Sequence, residues 1–299
     1  MKERLSFHDQ IQRNKLKSIL LMAIIFIFFI ALGYLISFAV NPSYFFFIMI
    51  LAVIFSLSYT IIGYYNSDKI ALTSVNAKPA SREEHRMLFH AVESMAIASG
   101  LPMPRIYVME SNQINAFASG RGPQHAVICV TTGLLEKLNK QELEGVIAHE
   151  MSHIANFDIR FMTLTAILVG MIAIIAQIFL RSMHFSGGRK NSKTQLFIII
   201  MAIVAAILAP ILVQIISFAI SRKREFTADA TAVKFTRYSA GLKSALEKIK
   251  REHFSQEEKG RYSAATAPLF ISDPFKKKVQ GLFSTHPNID ERIKLLGQM

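Results

Sequence analysis

The residues His149 to His153 spell H-E-x-x-H and place two imidazoles four positions apart. On an α-helix, positions four apart share one face, so both imidazoles can reach a single metal ion. Glu150 lies about 100° round the helix from His149, beside the water that such a metal would activate. Neutral imidazole is a preferred zinc ligand, and a carboxylate in this position can take a proton from that water. The motif therefore predicts a zinc hydrolase centre.

The residues around the motif favour an amphipathic helix. Asn139 and Glu142 resemble a capping box, the pattern that starts many helices, with Asn in place of the usual Ser or Thr. Apolar residues then recur at helical spacing, at Leu143, Val146, Ile147, Met151 and Ile154. The alternative is that His149 and His153 are ordinary packing or surface histidines, and the helical context makes this alternative the weaker one.

A catalytic zinc takes three protein ligands and keeps a fourth position for water. Glu225 is the best third candidate, and Asp229 lies one helical turn beyond it on the same face. Asp229 could accept a hydrogen bond from the free nitrogen of a ligating histidine and so fix its tautomer. A Glu-x-x-x-Asp pair alone more often marks a solvated helix face, but it gains weight after H-E-x-x-H. The sequence thus predicts one Zn²⁺ per chain, bound by His149, His153 and Glu225.

Long apolar stretches without charged residues predict an integral membrane protein. They cover residues 18–40, 44–65, 161–180 and 195–220. Each has about 20 residues or more, and at about 1.5 Å per residue some 20 residues span the roughly 30 Å hydrocarbon core. The turn at 41–43 is too short to hold a domain, so the first two stretches form a hairpin. The first stretch is too long for a cleaved signal peptide and lacks a small-residue cleavage site.

The shared metal ion restricts the topology. The histidines precede the third and fourth stretches and Glu225 follows them, so these two stretches cross the bilayer twice or not at all. Ten Lys and Arg residues lie near the span ends on the side of the amino terminus, against four in the loop 181–194. This excess predicts that the amino terminus and the catalytic face are cytoplasmic. The basic loop conflicts with an outside position, so the alternative is a second pair that is re-entrant or peripheral.

The region between the second and third stretches has the organisation of a small α+β domain. A helix is predicted over residues 79–99, followed by strand-like runs at 105–109, 113–118 and 125–131 and then by the motif helix. The fold class is therefore a mainly α membrane protein with four transmembrane helices and a cytoplasmic α+β zincin-like metalloprotease domain. The predicted parts are the transmembrane hairpin (1–65), the first part of the catalytic domain (66–160), the second transmembrane pair (161–220) and the second part of the catalytic domain with the third ligand (221–299).

The charge of the chain predicts contact with lipid rather than with nucleic acid. The formal net charge is +13, but the basic residues cluster at the span ends and nothing resembles a nucleic-acid-reading module. Anionic lipid head groups are therefore the better partners. The single cysteine, Cys129, lies in the apolar run 126–130, which predicts a buried strand thiol rather than half of an internal disulfide.

In its ordered set of motifs, the chain resembles the HtpX-type membrane zinc metalloproteases and, more distantly, the prenyl-protein (CAAX) endopeptidases. Many proteases share the zinc motif, but the resemblance runs in order along nearly the whole chain. Besides the apolar hairpins it includes Asn115-Ala116-Phe117-Ala118, the H-E-x-x-H motif, Glu225 to Asp229, and Ser284-Thr285-His286-Pro287 with Arg292. The family implies His149, His153 and Glu225 as zinc ligands and Glu150 as the catalytic carboxylate. It also implies the clearance of damaged or misassembled membrane proteins.

Two further segments acquire possible roles from this resemblance. His286 and Arg292 are candidate donors to the oxyanion that forms when water attacks the peptide carbonyl. The alternative is that His286 only caps a turn and Arg292 lies on a solvated helix. The segment from Asn115 to Ala118 could be an edge strand that pairs with extended substrate backbone, and the alternative is an ordinary core strand.

Together these residues predict an endopeptidase in which Glu150 accepts the proton of water and delivers it to the departing amine. The ligands lie roughly 8–12 Å from the spans if the helices continue, so loops and tails of membrane proteins, and unfolded proteins, are the expected substrates. An intramembrane protease would bury its motif in a span, whereas the polar residues Glu142, Asn156 and Asp158 flank this one. A structural zinc scaffold would need a fourth Cys or His nearby, and a transporter would need ionisable residues within its spans. The sequence indicates neither the natural substrates nor the oligomeric state.

Overall fold

A computed structural model of the chain describes residues 7–40, 42–165, 222–253 and 288–299. Its first two helices, α1 (Phe7–Val40) and α2 (Phe45–Tyr65), pack against each other as a hairpin. Each contains an apolar window long enough to cross a bilayer, Asn14–Ala31 in α1 and the whole of α2. The first predicted hairpin is therefore present as two long apolar helices, and α1 begins well before its apolar stretch.

The outer surface of this hairpin is largely apolar. Within α2, the buried residues are Ser56 and Gly63. The exposed large apolar side chains of the hairpin include Leu16, Ile19, Leu20, Ile27, Phe46, Phe47, Ile50, Ile54 and Phe55. A surface of this kind is unfavourable in water and suits contact with lipid. Of the two later apolar stretches, residues 161–165 belong to the described part of the chain, and the rest of them and the loop 181–194 lie outside it.

The described residues of the predicted catalytic domain contain a four-stranded sheet. Its strands are β1 (Lys78–Pro79), β2 (Arg105–Met109), β3 (Ala116–Ser119) and β4 (Val127–Thr131). Their order is β1-β2-β4-β3, with β2 and β4 parallel and both outer strands antiparallel to their neighbours. Every residue of β3 and β4 is buried, including Cys129. The segment predicted to bind substrate therefore includes an edge strand of this sheet.

Helices pack over the sheet and around one central helix. In chain order they are α3 (Ser67–Ser74), α4 (Arg86–Ser99), α5 (Thr132–Lys137), α6 (Lys140–Ala155), α7 (158–165), α8 (Arg222–Thr236), α9 (Ser239–His253) and α10 (Ile289–Leu296). The central helix is α6, which carries the H-E-x-x-H motif and packs against α4, α8, α9 and β3. Its apolar stripe is buried, as the spacing predicts, with Leu143, Val146 and Ile147 fully enclosed. Burial of such side chains contributes roughly 1.5–3 kcal/mol each.

The first helix of the domain differs from the prediction at its start. It begins at Arg86 rather than at Pro79, because Pro79 belongs to β1 and pairs with β2. Proline is tolerated in an edge strand, where its missing N–H is not needed. The helix ends at Ser99 as predicted, with Gly100 in the left-handed conformation at φ 68°. The bounds of β2 are those predicted, while β3 and β4 are shorter than the runs predicted for them.

The start of α6 is held by a capping box and by α9. The Glu142 N–H donates to Asn139 Oδ1 at 3.0 Å and the Asn139 N–H donates to Glu142 Oε2 at 2.8 Å, so the predicted capping box is confirmed. Glu142 also accepts hydrogen bonds from Ser244 Oγ at 2.6 Å and from Lys248 Nζ at 2.7 Å, both on α9. At Gly145 a Cβ would lie 2.5 Å from a backbone nitrogen of α9, so glycine permits the close approach of the two helices. These contacts set the position of the motif helix against α9.

Replacing Glu142 with Gln is expected to lower the free energy of unfolding by about 1–2 kcal/mol at neutral pH. Burial alone would raise the pKa of Glu142, but hydrogen bonds from Lys248, Ser244 and the Asn139 N–H outweigh it and lower the pKa. A carboxyl group whose pKa is lower in the folded state than in the unfolded state stabilises the fold at pH values above its unfolded-state pKa of about 4.3. This stabilisation is lost as the pH falls through the pKa of the group in the folded state.

Thermal unfolding in detergent, measured near neutral pH and at about pH 3, checks this expectation. Wild type and Glu142→Gln should differ near neutral pH and converge in acid. The exposed Glu84 is the control residue, and Glu84→Gln should match wild type at both pH values. A gap between wild type and Glu142→Gln that is the same at both pH values would contradict the assigned role.

Candidate metal centre

Three metal-binding side chains from two helices converge inside the domain. The helix α6 supplies His149 and His153, α8 supplies Glu225, and all three side chains are buried. The two Nε2 atoms lie 3.2 Å apart, and each lies 3.5 Å from a carboxylate oxygen of Glu225. The packing of α8 on α6 therefore brings together the three residues that the sequence predicts as ligands.

The spacing of these three side chains suits one tetrahedral zinc ion. Ligand atoms at about 2.0–2.1 Å from such an ion lie roughly 3.3 Å from one another. The distances of 3.2 and 3.5 Å between the nitrogen and oxygen atoms are close to this value. Within the described residues the cluster consists of these three side chains, which leaves a coordination position for water. The residues present therefore fit Zn²⁺ as a catalytic metal.

The first histidine is oriented by a carboxylate that an arginine holds. His149 Nδ1 lies 2.9 Å from Asp229 Oδ1, and Arg292 donates to both oxygens of Asp229, from Nε at 2.8 Å and from Nη2 at 2.7 Å. Burial would raise the pKa of Asp229, but the Arg292 charge and the hydrogen bond with His149 lower it to about 2. Asp229 therefore stays ionised, and a proton held on Nδ1 leaves Nε2 of His149 for the metal.

The protonation of His149 depends on the same groups. Burial and the Arg292 charge would lower the pKa of His149, but hydrogen bonds with Asp229 and Glu225 raise it to about 9. Zinc binds the neutral imidazole, so a metal ion that enters the cluster competes with a proton at Nε2.

The second histidine has an equivalent carboxylate, Asp158, which sequence reasoning missed as a site residue. His153 Nδ1 lies 3.1 Å from Asp158 Oδ2, and Arg224 Nε lies 3.2 Å from Asp158 Oδ1. Asp158, Asn156 and Glu142 are all buried within the protein, and the position of the site outside the bilayer stays a prediction. The feature of the sequence that could have identified Asp158 is its position just past the end of α6, where the chain turns back beside His153.

Glu150 is buried beside the ligand cluster and next to β3. Burial raises the pKa of Glu150, an effect that the charges of His149 and His153 partly oppose. The Ala118 N–H, in β3, donates a hydrogen bond to the Glu150 carboxylate. A carboxyl group with a raised pKa exchanges protons near neutral pH more readily than an exposed one. This environment suits the proton-transfer role predicted for Glu150.

The segment from Asn115 to Ala118 combines a core face with an outward-pointing backbone edge. The Thr131 N–H donates to Asn115 O at 3.0 Å, and β3 continues antiparallel to β4. Because hydrogen-bonded pairs alternate along such strands, the N–H and C=O groups of Ala116 and Ala118 point away from β4. Phe117 is fully buried in a cluster on one side of the sheet. The segment is therefore an edge strand whose side chains belong to the core, and its pairing with substrate stays a prediction.

Arg292 is buried and bound within the centre rather than placed on a solvated helix, so that alternative is wrong. Besides its two bonds to Asp229, its Nη1 lies 3.4 Å from Glu225 Oε2. These contacts assign Arg292 to holding the two carboxylates, and its donation to an oxyanion stays a prediction. His286 lies outside the described residues.

A buried His-His-Glu cluster with a neighbouring carboxylate is an arrangement that suits a metalloprotease, and two helices long and apolar enough to cross a bilayer precede its α+β domain. The sequence model of peptidase family M48 matches residues 80–299. A protein described as "Protease HtpX homolog" from Caldanaerobacter subterraneus subsp. tengcongensis is 50% identical over 253 residues, which cover 83% of each chain. Another from Dictyoglomus thermophilum is 40% identical over 294 residues, which cover 98% of this chain and 95% of the other.

The chain therefore belongs to peptidase family M48, within its HtpX group of metalloproteases, and is a hydrolase that acts on peptide bonds. The resemblance seen in the sequence is confirmed. Among solved structures, the crystal structure of S. mikatae Ste24p is similar with a TM-score of 0.49 and 22% identity. That match covers 95% of this chain and 65% of Ste24p, so the chain spans about two thirds of that protein's length.

Proposed function

We propose that this chain is a zinc-dependent endopeptidase that cuts membrane proteins, and unfolded proteins near the membrane, for quality control. The observation that carries the proposal is the convergence of His149, His153 and Glu225, with Glu150 beside them. Membership of family M48 supports the hydrolysis of peptide bonds. One Zn²⁺ per chain would supply a Lewis acid and a water whose pKa falls from 15.7 to about 7.

The chain's own residues would transfer the protons and hold the substrate. Glu150 accepts the proton of the attacking water and passes it to the departing amine, because it is the carboxylate next to the ligands on α6. The C=O groups of Ala116 and Ala118 point away from β4 and can accept hydrogen bonds from extended substrate beside Glu150. The N–H groups of the two residues already donate to Asn115 Oδ1 and to Glu150. Arg292 and His286 are the proposed donors to the oxyanion.

The proposed location of the centre is the cytoplasmic surface of the bilayer. Asn14, the first residue of the apolar window of α1, donates a hydrogen bond to Asp158 at 2.8 Å, and Asp158 contacts His153. The ligands therefore lie level with the start of a candidate span. Phe161 and Leu164 of α7 share a buried cluster with Leu21, Ile25 and Phe29 of α1. This packing supports a third apolar stretch that enters the membrane beside the first.

The same topology has four transmembrane helices, in the segments 1–65 and 161–220, and a catalytic domain built from 66–160 and 221–299. The excess of basic residues on the side of the amino terminus supports the cytoplasmic orientation. Their position at the span ends supports anionic lipid head groups as partners and does not call for nucleic acid.

Proteolysis of casein and of a detergent-solubilised membrane protein tests the proposed activity. Wild type should cleave both substrates, whereas Glu150→Ala and chelator-treated protein should cleave neither. Added zinc should restore the chelated wild type and leave the variant inactive. Cleavage that survives both the substitution and the chelator would contradict a zinc-dependent mechanism.

In liposomes, a membrane-anchored substrate is expected to be cut at least about 10-fold faster than a soluble peptide with the same cleavage sequence. Confinement to the membrane raises the effective concentration of the substrate at a centre that lies at the bilayer surface. Initial rates at equal bulk concentration measure the effect, and the same pair in detergent solution is the control, in which the difference should largely vanish. Faster cleavage of the soluble peptide in liposomes would sink the proposed substrate class.

A further inference from the structure

Asn14 is a buried polar residue at the start of the apolar window of α1. Its Nδ2 donates one hydrogen bond to Asp158 Oδ1 at 2.8 Å and another to Asn156 O at 3.0 Å. Asn156 is the cap at the C-terminal end of α6, where carbonyl groups lack partners within the helix. One amide thus bonds both the end of the motif helix and the carboxylate that contacts His153.

We propose that Asn14 is a positioning residue of the metal centre, so that α1 is part of the zinc site as well as of the membrane anchor. This inference rests on the proposed zinc-dependent function. Asp158 contacts three helices: its Oδ1 binds Asn14 of α1 and Arg224 of α8, and its Oδ2 binds His153 of α6. With Oδ1 held from two sides, Oδ2 is directed at Nδ1 of His153. The Nε2 atom of that ring is then directed at the other ligands.

The chemistry of an amide suits this position. Arg224 already supplies one positive charge next to Asp158, at 3.2 Å. A second cation would draw the carboxylate away from His153, whereas a neutral amide donates a hydrogen bond without changing the charge of the cluster. Both hydrogens of the Asn14 amide have acceptors, so its burial is compensated.

Neighbouring contacts hold α1 in register with the centre. Lys15 Nζ lies 4.5 Å from the centroid of the Phe157 ring, in the turn between α6 and α7. Further along α1, Leu21, Ile25 and Phe29 belong to one buried cluster with Phe161 and Leu164 of α7. The Asn14 bonds are therefore the polar end of a continuous interface between α1 and the segment that follows the motif.

The consequence is that zinc affinity depends on the docking of α1. Loss of the hydrogen-bond partner of a ligating histidine typically weakens metal binding about 10- to 100-fold. Asn14 acts one step further from the metal, so we expect a smaller loss of about 3- to 10-fold. A chain whose first helix is not packed against the catalytic domain would accordingly bind zinc less tightly.

Zinc affinity of the full-length protein in detergent, measured by competition with a chelator of known affinity, tests this inference. Asn14→Ala should weaken zinc binding about 3- to 10-fold and Asp158→Asn about 10- to 100-fold. Ser56→Ala is the matched control, because it removes another hydrogen bond of the hairpin, the partly buried one from Ser56 Oγ to Phe26 O at 3.2 Å. Phe26 lies about 18 Å along α1 from Asn14, so Ser56→Ala should bind zinc as wild type does.

Two further measurements separate positioning from a general loss of stability. The metal-free forms of Asn14→Ala and Ser56→Ala should unfold at similar temperatures. The visible absorption bands of cobalt-substituted protein report ligand geometry, and they should change in Asn14→Ala but not in the control. Should Asn14→Ala fail to fold, Asn14→Leu keeps the approximate shape, removes the amide donor without adding a charge, and should weaken zinc binding to a similar extent.

Different results would overturn the positioning role of Asn14 and the proposed zinc-dependent function. Asn14 variants that bind zinc as tightly as wild type would overturn the positioning role, whether or not their metal-free stability falls, and would leave the proposed function intact. A folded wild type that binds no zinc would overturn the proposed function itself.

Discussion

The variant Glu150→Gln is expected to lose about 10²- to 10⁴-fold in kcat while it keeps its metal ion. Glutamine has the size of glutamate and can still accept the hydrogen bond from the Ala118 N–H, but it cannot take a proton from water. Glu150 is not one of the three converging ligand residues, so zinc content should be unchanged. The thermal unfolding temperature should stay equal or rise, because the substitution removes a buried ionisable group.

Steady-state cleavage of a fluorogenic peptide, with zinc determined on the same samples, measures this effect. Glu144→Gln is the control, since Glu144 lies on the same helix with a partly exposed side chain, 3.9 Å from Lys140. It should retain the activity of wild type. A Glu150→Gln enzyme with nearly normal kcat would exclude Glu150 as the base, and loss of zinc together with activity would assign it to metal binding instead.

Glu225→Ala is expected to abolish activity at least as completely as loss of Glu150. A bound zinc ion lowers the pKa of water from 15.7 to about 7, and each pKa unit corresponds to about 1.4 kcal/mol, or about 10-fold in an equilibrium. Over the whole shift, this effect is larger than the 10²- to 10⁴-fold rate increase that one general base supplies. The substitution removes the carboxylate that lies 3.5 Å from both Nε2 atoms and leaves two imidazole ligands. The substitution also removes Glu225 Oε2, the carboxylate oxygen that lies 3.4 Å from the buried Arg292 Nη1.

Zinc content after dialysis and residual activity measure this second effect, alongside wild type stripped with a chelator. Both preparations should be inactive, and added zinc should restore the stripped wild type but not Glu225→Ala. Glu247→Ala, on the neighbouring helix α9, is the control and should keep metal and activity. Normal zinc content in Glu225→Ala would mean that the third ligand is another residue.

The local sequence is sufficient to predict the secondary-structure elements around the H-E-x-x-H motif. The sequence predicts the capping box at Asn139, the buried apolar stripe of α6 and the stop at Gly100, because each depends on residues within one or two turns. The sequence predicts the first apolar hairpin for a similar reason, since length and apolar composition are local properties. It does not predict the start of the first domain helix, because Pro79 pairs with a strand that lies far along the chain.

The sequence by itself determined the chemistry of the centre: two imidazoles and a carboxylate on one helix, and a second helix that offers Glu225. These features are visible because four-residue spacing along a helix defines a face. The sequence also suggests Asp229 as a carboxylate that orients a histidine. Only the tertiary structure decided that Asp229 contacts His149, that Asp158 contacts His153, and what holds each carboxylate. Arg292 is 63 positions from Asp229, and Asn14 is 144 positions from Asp158. Such contacts depend on how α1, α8 and α10 pack around α6, and no periodicity within a single helix specifies that packing.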